Sequence, residues 1–436
     1  MRAIKAPLVW NGEGFSSDHC LVIEDDRIVG VTSSPPPDAE IEEWGDVAIV
    51  PGSVNAHGHS FQNLLKGFAD DRTFESWRDD VLYPFAERLS PDDIYAGAVF
   101  AFAEAALAGV TTIVDFFYLH DESNENAERV LAAARDVGIR LVFARTFYDV
   151  DAPTRAPIRF RETAEDSATR FEELARAHES DPMISIQAAP HSLHAASPET
   201  IAIALDVTAA AGVRCHLHLA EARYEVEQVK ERYGATPVRL LAREGLLRSH
   251  LVTVHTVWVD DEELDLLAGA GVGVVHCPGA NAFLGDGIAR VPEMLERGIR
   301  VALGPDGGCA NNRQSVFDEM RMASLVAKAR LVDGSALGAM EAFRLGTVAG
   351  GDLLGLPVGG LREGDYADLV ALDLNDISLH PLATLERQVV HSMQSTAIKR
   401  VMVGGRVIAE EGRLSRVPLG RVRELVATAT KGWVRP

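Results

Sequence analysis

Apolar and polar positions change rhythm twice along the chain. Up to about residue 50, short apolar runs are broken by turn-forming residues: "APLVWNG", "CLVIEDDRIVGVTS" and "VAIVPG", with "DDRI" as a tight turn and "SSPPPDAE" as a loop. Runs of this kind, punctuated by Gly, Pro, Asn and Asp, predict strands. The same texture returns towards the C-terminus in "ADLVALDLN" and "IKRVMVGGRVIAEEGRL". Between about 51 and 350, short apolar runs instead alternate with helical stretches such as "PETIAIALDVTAAAG" and "DDEELDLLAGAG".

The candidate strands of this middle region are "GSVNAHGH", "TTIVDFF", "RLVFART", "ISIQAAPH", "VRCHLHLAE", "LVTVHTVW", "VGVVHCP" and "RVALGPDGG". Strand–helix alternation implies parallel strands, and eight of them predict a (β/α)8 TIM-type barrel. The expected fold class is α/β: a barrel over 51–360 plus a small β-sandwich composed of 1–50 and 361–436. Polar residues of the candidate strands cluster near their C-terminal ends, the face where catalytic groups of such a barrel gather.

Composition narrows the function. The 436 residues, 47% of them apolar, suffice for a large barrel and an added module. A net charge of −22 argues against nucleic acids and anionic membranes as partners. No apolar run approaches the roughly 20 residues of a bilayer span, and "MRAIKAPLVWNGEGF" lacks the marks of a signal peptide. The expectation is a cytoplasmic protein, with a small molecule as its substrate. Cys20, Cys215, Cys277 and Cys309 are few and scattered, as buried free thiols would be.

Residues i and i+2 of a strand project to one face, so His57 and His59 can both point into the barrel mouth and chelate a metal. Alone, the pair reads equally well as ordinary core or surface histidines. His216 and His218 repeat the spacing on the fifth strand, and Glu221 follows at its end. The sixth strand carries His255, and the eighth ends in "LGPDGG" with Asp306 at its tip. Buried Asp is rare unless paired or bound to metal. Convergence of such groups from four strand ends favours a metal site.

This set resembles the amidohydrolase superfamily: HxH on strand one, "HLHLAE" on strand five, His on strand six and Asp on strand eight. The resemblance covers nearly the whole chain, including "GGLREGDYADLVALD" at the return to the sandwich. Relatives with two metals usually bridge them with a carboxylated lysine, or a glutamate, on strand four. Here that strand is "ISIQAAPHS", and Lys5, Lys66, Lys230, Lys328, Lys399 and Lys431 all lie outside the strand tips. The resemblance therefore implies one divalent ion, held by His57, His59, His218 and Asp306. Such a donor set suits zinc, and iron or manganese also fits. It further implies a deaminase in which Asp306 accepts a proton, Glu221 protonates the ring or imino nitrogen and His255 stabilises charge on oxygen. His216 and His276 are expected to pack or to support the ligands. A homo-oligomer is expected from barrels of this kind.

Two resemblances divide over the substrate. "LLKGFADDRTFESWRDDVLYPFAERL", "HCPGAN" and "LGPDGG" are similar to S-adenosylhomocysteine and 5′-methylthioadenosine deaminases. "HSFQ", "SWRDD", "DFFYLHDE" and "APHSLHAASPE" are similar to N-formimino-L-glutamate deiminase. The second implies substrate contacts at Gln62, Arg78, Tyr118 and His191, with Trp77 beside them. His194 stands where those enzymes would carry an arginine, so a carboxylate clamp is missing. Gly58, Pro305 and "PGAN" are smaller departures in the pocket. The expected reaction is metal-dependent release of ammonia from a C=N carbon of an N-heterocycle or a formimino compound. The formimino-L-glutamate reaction proper, opening of a cyclic amide, displacement on a triazine and a non-catalytic barrel are the alternatives.

Overall fold

A computed structural model describes residues 1–150 and 156–434. Within them eight parallel strands lie side by side in sequence order: Ser53–Asn55, Val110–Phe117, Arg140–Phe147, Ile184–Pro190, Cys215–Leu219, Leu251–His255, Gly273–His276 and Val301–Leu303. The Ala56 N–H donates to Leu303 O at 3.0 Å and the Asp306 N–H to His57 O at 3.1 Å, which joins the last strand to the first. The alternation seen in the sequence is thus an α/β barrel. Its closure needs a residue without a side chain beside the His-Gly-His segment. A Cβ on Gly304 would lie 2.7 Å from the His57 carbonyl oxygen and 2.8 Å from its nitrogen.

The connecting helices start where polar residues can satisfy their first N–H groups. Ser90 and Asp93 form a reciprocal cap on Pro91–Leu107, and Asp260 with Glu263 does so on Asp261–Ala270. Ser197 caps Pro198–Ala211. Each such cap contributes on the order of 1 kcal/mol.

Both ends of the chain meet in a seven-stranded sheet, ordered Phe15–Ser17, Leu8–Trp10, Val47–Pro51, Leu369–Asp373, Ile398–Val403, Arg406–Glu410, Arg413–Leu414. A second sheet of four strands, Arg27–Thr32, Cys20–Glu24, Arg2–Lys5 and Glu40–Glu43, comes from the N-terminal part alone. The C-terminal part is less purely β than its texture suggests, because Leu385–His391 and Leu419–Ala429 are helices. Val47–Pro51 runs almost directly into the first barrel strand, so the terminal sheet anchors the chain that carries His57 and His59. All four cysteines are free and buried. No helix among the described residues is long and apolar enough to cross a membrane.

One ionic contact fixes barrel to sheet. Arg140 of the third strand grips Asp368 with Nε at 2.9 Å and Nη2 at 3.1 Å, and the Gly404 N–H donates to Asp368 Oδ1 at 2.7 Å. Tyr366 lies between Arg140 and Arg27, whose guanidinium carbons stand 3.6 and 3.5 Å from its ring centre. The pair is almost fully buried, with side-chain exposures of 3% and 0%. Removing one partner strands the other charge in the interior. Asp368→Ala is therefore expected to lower the unfolding free energy by about 3–5 kcal/mol. Urea unfolding measures it, and a loss below about 1 kcal/mol would show that the pair is not structural.

Candidate active site

The first strand ends at Asn55 because the Asn55 side-chain oxygen accepts the His57 N–H at 3.0 Å. That local bond takes the amide a neighbouring strand would use. The His-Gly-His segment consequently lies just past the strand, not within it as the sequence suggested. It remains extended: Gly58 O accepts the Phe116 N–H at 2.7 Å, and His59 has φ −134°. The two rings enter the mouth together, with centres 4.8 Å apart.

His218 brings its Nε2 to 3.2 Å from His57 Nε2. Asp306 Oδ1 lies 3.5 Å from Nε2 of both His57 and His59. Neighbouring carbonyls aim these atoms. His59 donates its Nδ1–H to Phe116 O at 2.6 Å, and His218 donates its own to His191 O at 2.8 Å. Each ring therefore turns a lone pair at Nε2 into the mouth. Burial, and then the neighbouring imidazoles, hold His57 well below the usual histidine range. Burial lowers His59 and His218 as well. Neutral imidazoles and a carboxylate converging on one point fit a divalent cation of the zinc type. The donor atoms of His57, His59 and His218, and those of His57, His255 and Asp306, each lie within 4.8 Å of one another.

Glu221 and His255 sit on the other side of this cluster. His255 Nε2 is 3.4 Å from Glu221 Oε1 and 3.9 Å from Asp306 Oδ2. The turn that carries Glu221 is held by Glu225, whose Oε2 accepts the Glu221 N–H at 2.8 Å. Burial, then Asp286, Asp306 and Glu225, push the Glu221 carboxyl well above the ordinary range. Three strand ends of the mouth adopt left-handed backbone without glycine: Ala220 at φ 50°, His255 at 68° and Asp306 at 67°. Such positions cost on the order of 1–3 kcal/mol and concentrate where function holds the chain.

The residues expected to meet substrate form an aromatic wall beside the histidines. Tyr118 lies 5.4 Å from His59 and 5.5 Å from His191, ring centre to ring centre. Its hydroxyl accepts from Gln62 Nε2 at 2.9 Å, while Gln62 Oε1 accepts from the Cys309 thiol at 3.2 Å. Trp77 is buried and donates its indole N–H to Cys309 O at 3.0 Å. His191 stands 4.9 Å from His218. Arg78 is committed elsewhere in the protein: Nε and Nη2 grip Asp79 at 2.7 and 3.1 Å, and Nη1 donates to the Tyr224 hydroxyl at 3.1 Å. His194 is held neutral, its pKa lowered to about 3 by burial and then by Arg78. His216 donates to Gln187 Oε1 at 2.7 Å and so faces the fourth strand.

Sequence reasoning missed several contributors. Tyr148 and Phe160 complete the wall around His191 and Tyr118. Asp115 accepts the Ser60 N–H and hydroxyl at 2.8 and 2.6 Å and braces the turn after His59. Asn281 and Asp286 approach His255 from behind. Of these, Asn281 and Asp115 lay in motifs with a visible signal, at the end of "HCPGAN" and the start of "DFFYLHDE".

Residues 48–408 match the family model described as "Amidohydrolase family". A 5-methylthioadenosine/S-adenosylhomocysteine deaminase of Syntrophobacter fumaroxidans is 35% identical over 385 residues, covering 88% of this chain and 85% of that protein. A 5′-deoxyadenosine deaminase of Methanothermobacter thermautotrophicus is 31% identical, covering 94% and 93%. The solved structure of an adenosine deaminase from Xanthomonas campestris with bound zinc superposes with a TM-score of 0.89 at 27% identity, covering 98% and 97%. A zinc complex of atrazine chlorohydrolase from Arthrobacter aurescens reaches 0.92 at 24% identity, covering 98% and 100%, a likeness of fold alone.

Proposed function

The chain belongs to the amidohydrolase family and is a hydrolase of carbon–nitrogen bonds, and on that premise we propose that it is a mononuclear-metal deaminase acting on an adenosine-type amine. The observation that carries this reading is the division of the mouth. His57, His59, His218 and Asp306 converge on one side, and the Glu221–His255 pair, 3.4 Å apart, faces them with His255 Nε2 3.9 Å from Asp306 Oδ2.

His57, His59 and His218 would hold the ion through Nε2, with Asp306 completing the set. Bound there, a divalent cation supplies a Lewis acid that brings the pKa of a coordinated water down towards 7. The protein's own groups do the rest. Asp306 accepts the proton given up as the attacking oxygen adds to the C=N carbon. The Nε2 edge of His255 meets the oxygen on which negative charge develops. Glu221 delivers a proton to the ring nitrogen, the proton held by Asp306 passes to the departing amine, and the tetrahedral carbon collapses to a carbonyl with loss of ammonia as its hydroxyl proton returns to Glu221.

Two features favour a neutral, planar substrate over a formimino amino acid. The guanidinium edge that would clamp a carboxylate is taken by Asp79, and the neighbouring His194 is uncharged. The aromatic wall of Tyr118, Tyr148 and Phe160 offers faces for a heterocycle. The relatives named as adenosine-type deaminases support the same choice.

An ammonia-release screen tests the reading, with 5′-methylthioadenosine and S-adenosylhomocysteine set against formimino amino acids, guanine, pterins and triazines. Ammonia from the adenosine-type arm is expected. Turnover confined to formimino-L-glutamate would overturn the substrate class, and ring opening without ammonia would overturn the reaction. A second prediction follows for Arg78. Arg78→Lys is expected to change KM for the adenosine-type substrate by less than about tenfold. A guanidinium clamped on a substrate carboxylate would instead cost about 2 kcal/mol, near 30-fold.

A further inference from the structure

Hydrogen bonds sort the histidines of the mouth into two kinds. His59 and His218 spend Nδ1–H on backbone carbonyls and present bare Nε2 atoms. His255 has the opposite arrangement. Its Nδ1 meets the side-chain nitrogen of Asn281 at 3.1 Å. An amide nitrogen only donates, so Nδ1 accepts and the neutral ring carries its hydrogen on Nε2.

The orientation of that amide is decided by Asp286. Its Oδ2 lies 3.5 Å from the same Asn281 nitrogen, so one NH2 group serves both acceptors. Turning the amide over would set its oxygen against a carboxylate. Asp286 is itself fixed, since its N–H donates to the Asn281 backbone oxygen at 2.9 Å and its carbonyl accepts the Trp258 indole N–H at 2.7 Å. The far side of the ring agrees. His255 Nε2 looks onto the oxygens Glu221 Oε1 and Asp306 Oδ2 at 3.4 and 3.9 Å, where an N–H has acceptors to meet.

We propose that Asn281, oriented by Asp286, locks His255 in the Nε2–H tautomer, so that His255 acts as a hydrogen-bond donor to the reacting centre and is kept out of the ligand set. By distance alone His255 qualifies as a ligand alongside His57 and Asp306. The tautomer excludes it, because a nitrogen that carries hydrogen has no lone pair to give. Asn281 and Asp286 are positioning residues, acting through His255. The inference rests on the proposed deaminase only for its kinetic consequence: a donor at Nε2 stabilises oxygen charge, and a lone pair there opposes it.

The test exchanges the two partners without changing net charge, in N281D/D286N. Asp at 281 accepts from His255 Nδ1–H and leaves Nε2 bare. In the metal-loaded protein, long-range 15N spectra of labelled histidine are expected to show His255 as the Nε2–H tautomer in the native chain and as the Nδ1–H tautomer in the exchange. The resonance is identified by its loss in His255→Gln. The exchange is expected to lower kcat by about 10²–10⁴-fold with KM changed only a few-fold, the size of effect seen when a catalytic histidine is held in the wrong tautomer. Asn281→Leu keeps the bulk without the amide and is expected to give a mixture of tautomers. It decides the question if the exchange does not fold. A native His255 in the Nδ1–H form overturns the proposal, as does an exchange or an Asn281→Leu protein with an unchanged tautomer. If no substrate releases ammonia, the deaminase reading fails while the spectra still decide the tautomer.

Discussion

Glu221→Gln is expected to lower kcat for ammonia release by about 10²–10⁴-fold, the usual worth of a positioned proton donor, with metal content and melting temperature unchanged. The side chain has the right place for this role. It leaves the fifth strand three residues after His218, its backbone N–H is pinned by Glu225 at 2.8 Å, and its Oε1 lies 3.4 Å from His255 Nε2. Gln occupies the same volume and still offers an N–H, so binding and packing survive. It has no proton to release to the ring nitrogen. The loss should therefore appear in kcat and leave KM nearly alone. Elemental analysis and a melting curve guard against trivial inactivation, since Glu221 stands outside the proposed ligand set. A Glu221→Gln protein that turns over at the native rate would remove Glu221 from the mechanism.

How much of this was readable in the chain depended on distance along it. The eight strands were legible because each is a short apolar run with polar residues at its C-terminal end, a signal contained within a few residues. His57 with His59, and His218 with Glu221, were legible for the same reason. The limits lay wherever one loop meets another. Asp286 reaches the site only because the helix Pro278–Leu284 turns back on Asn281. Phe160 closes on Tyr118 from a loop more than forty residues on. Arg78 was expected at the substrate from the resemblance to the formimino enzymes, and its pairing with the next residue had no signal in the chain. The segment Trp77–Leu82 is wound with the wider π-type turn, and Arg78 grips Asp79 there. The left-handed backbone at His255 and Asp306 had no signal at all, since neither is glycine.

Stripping the metal with a chelator is expected to abolish ammonia release and lower the melting temperature, with one equivalent of zinc restoring both. The reason for the stability loss lies in the donor set. His57 and His218 bring their Nε2 atoms to 3.2 Å, and the Nδ1–H of His218 is spent on the His191 carbonyl, which leaves its Nε2 free to ligate. Since the ligands come together only in the folded chain, the ion binds the native state and stabilises it by mass action, about 2.7 kcal/mol at a free concentration 100 times its Kd. The stoichiometry is the sharper part. The fourth strand would have to supply a bridging carboxylate for a second ion, and its Gln187 is engaged by His216 at 2.7 Å and by the Leu354 carbonyl. A reconstitution curve should therefore break at one equivalent. A break at two would mean that a bridging group other than lysine or glutamate serves, and full activity in the stripped protein would refute the metal site itself. Iron and manganese, added in the same way, rank the ions by the activity that each restores.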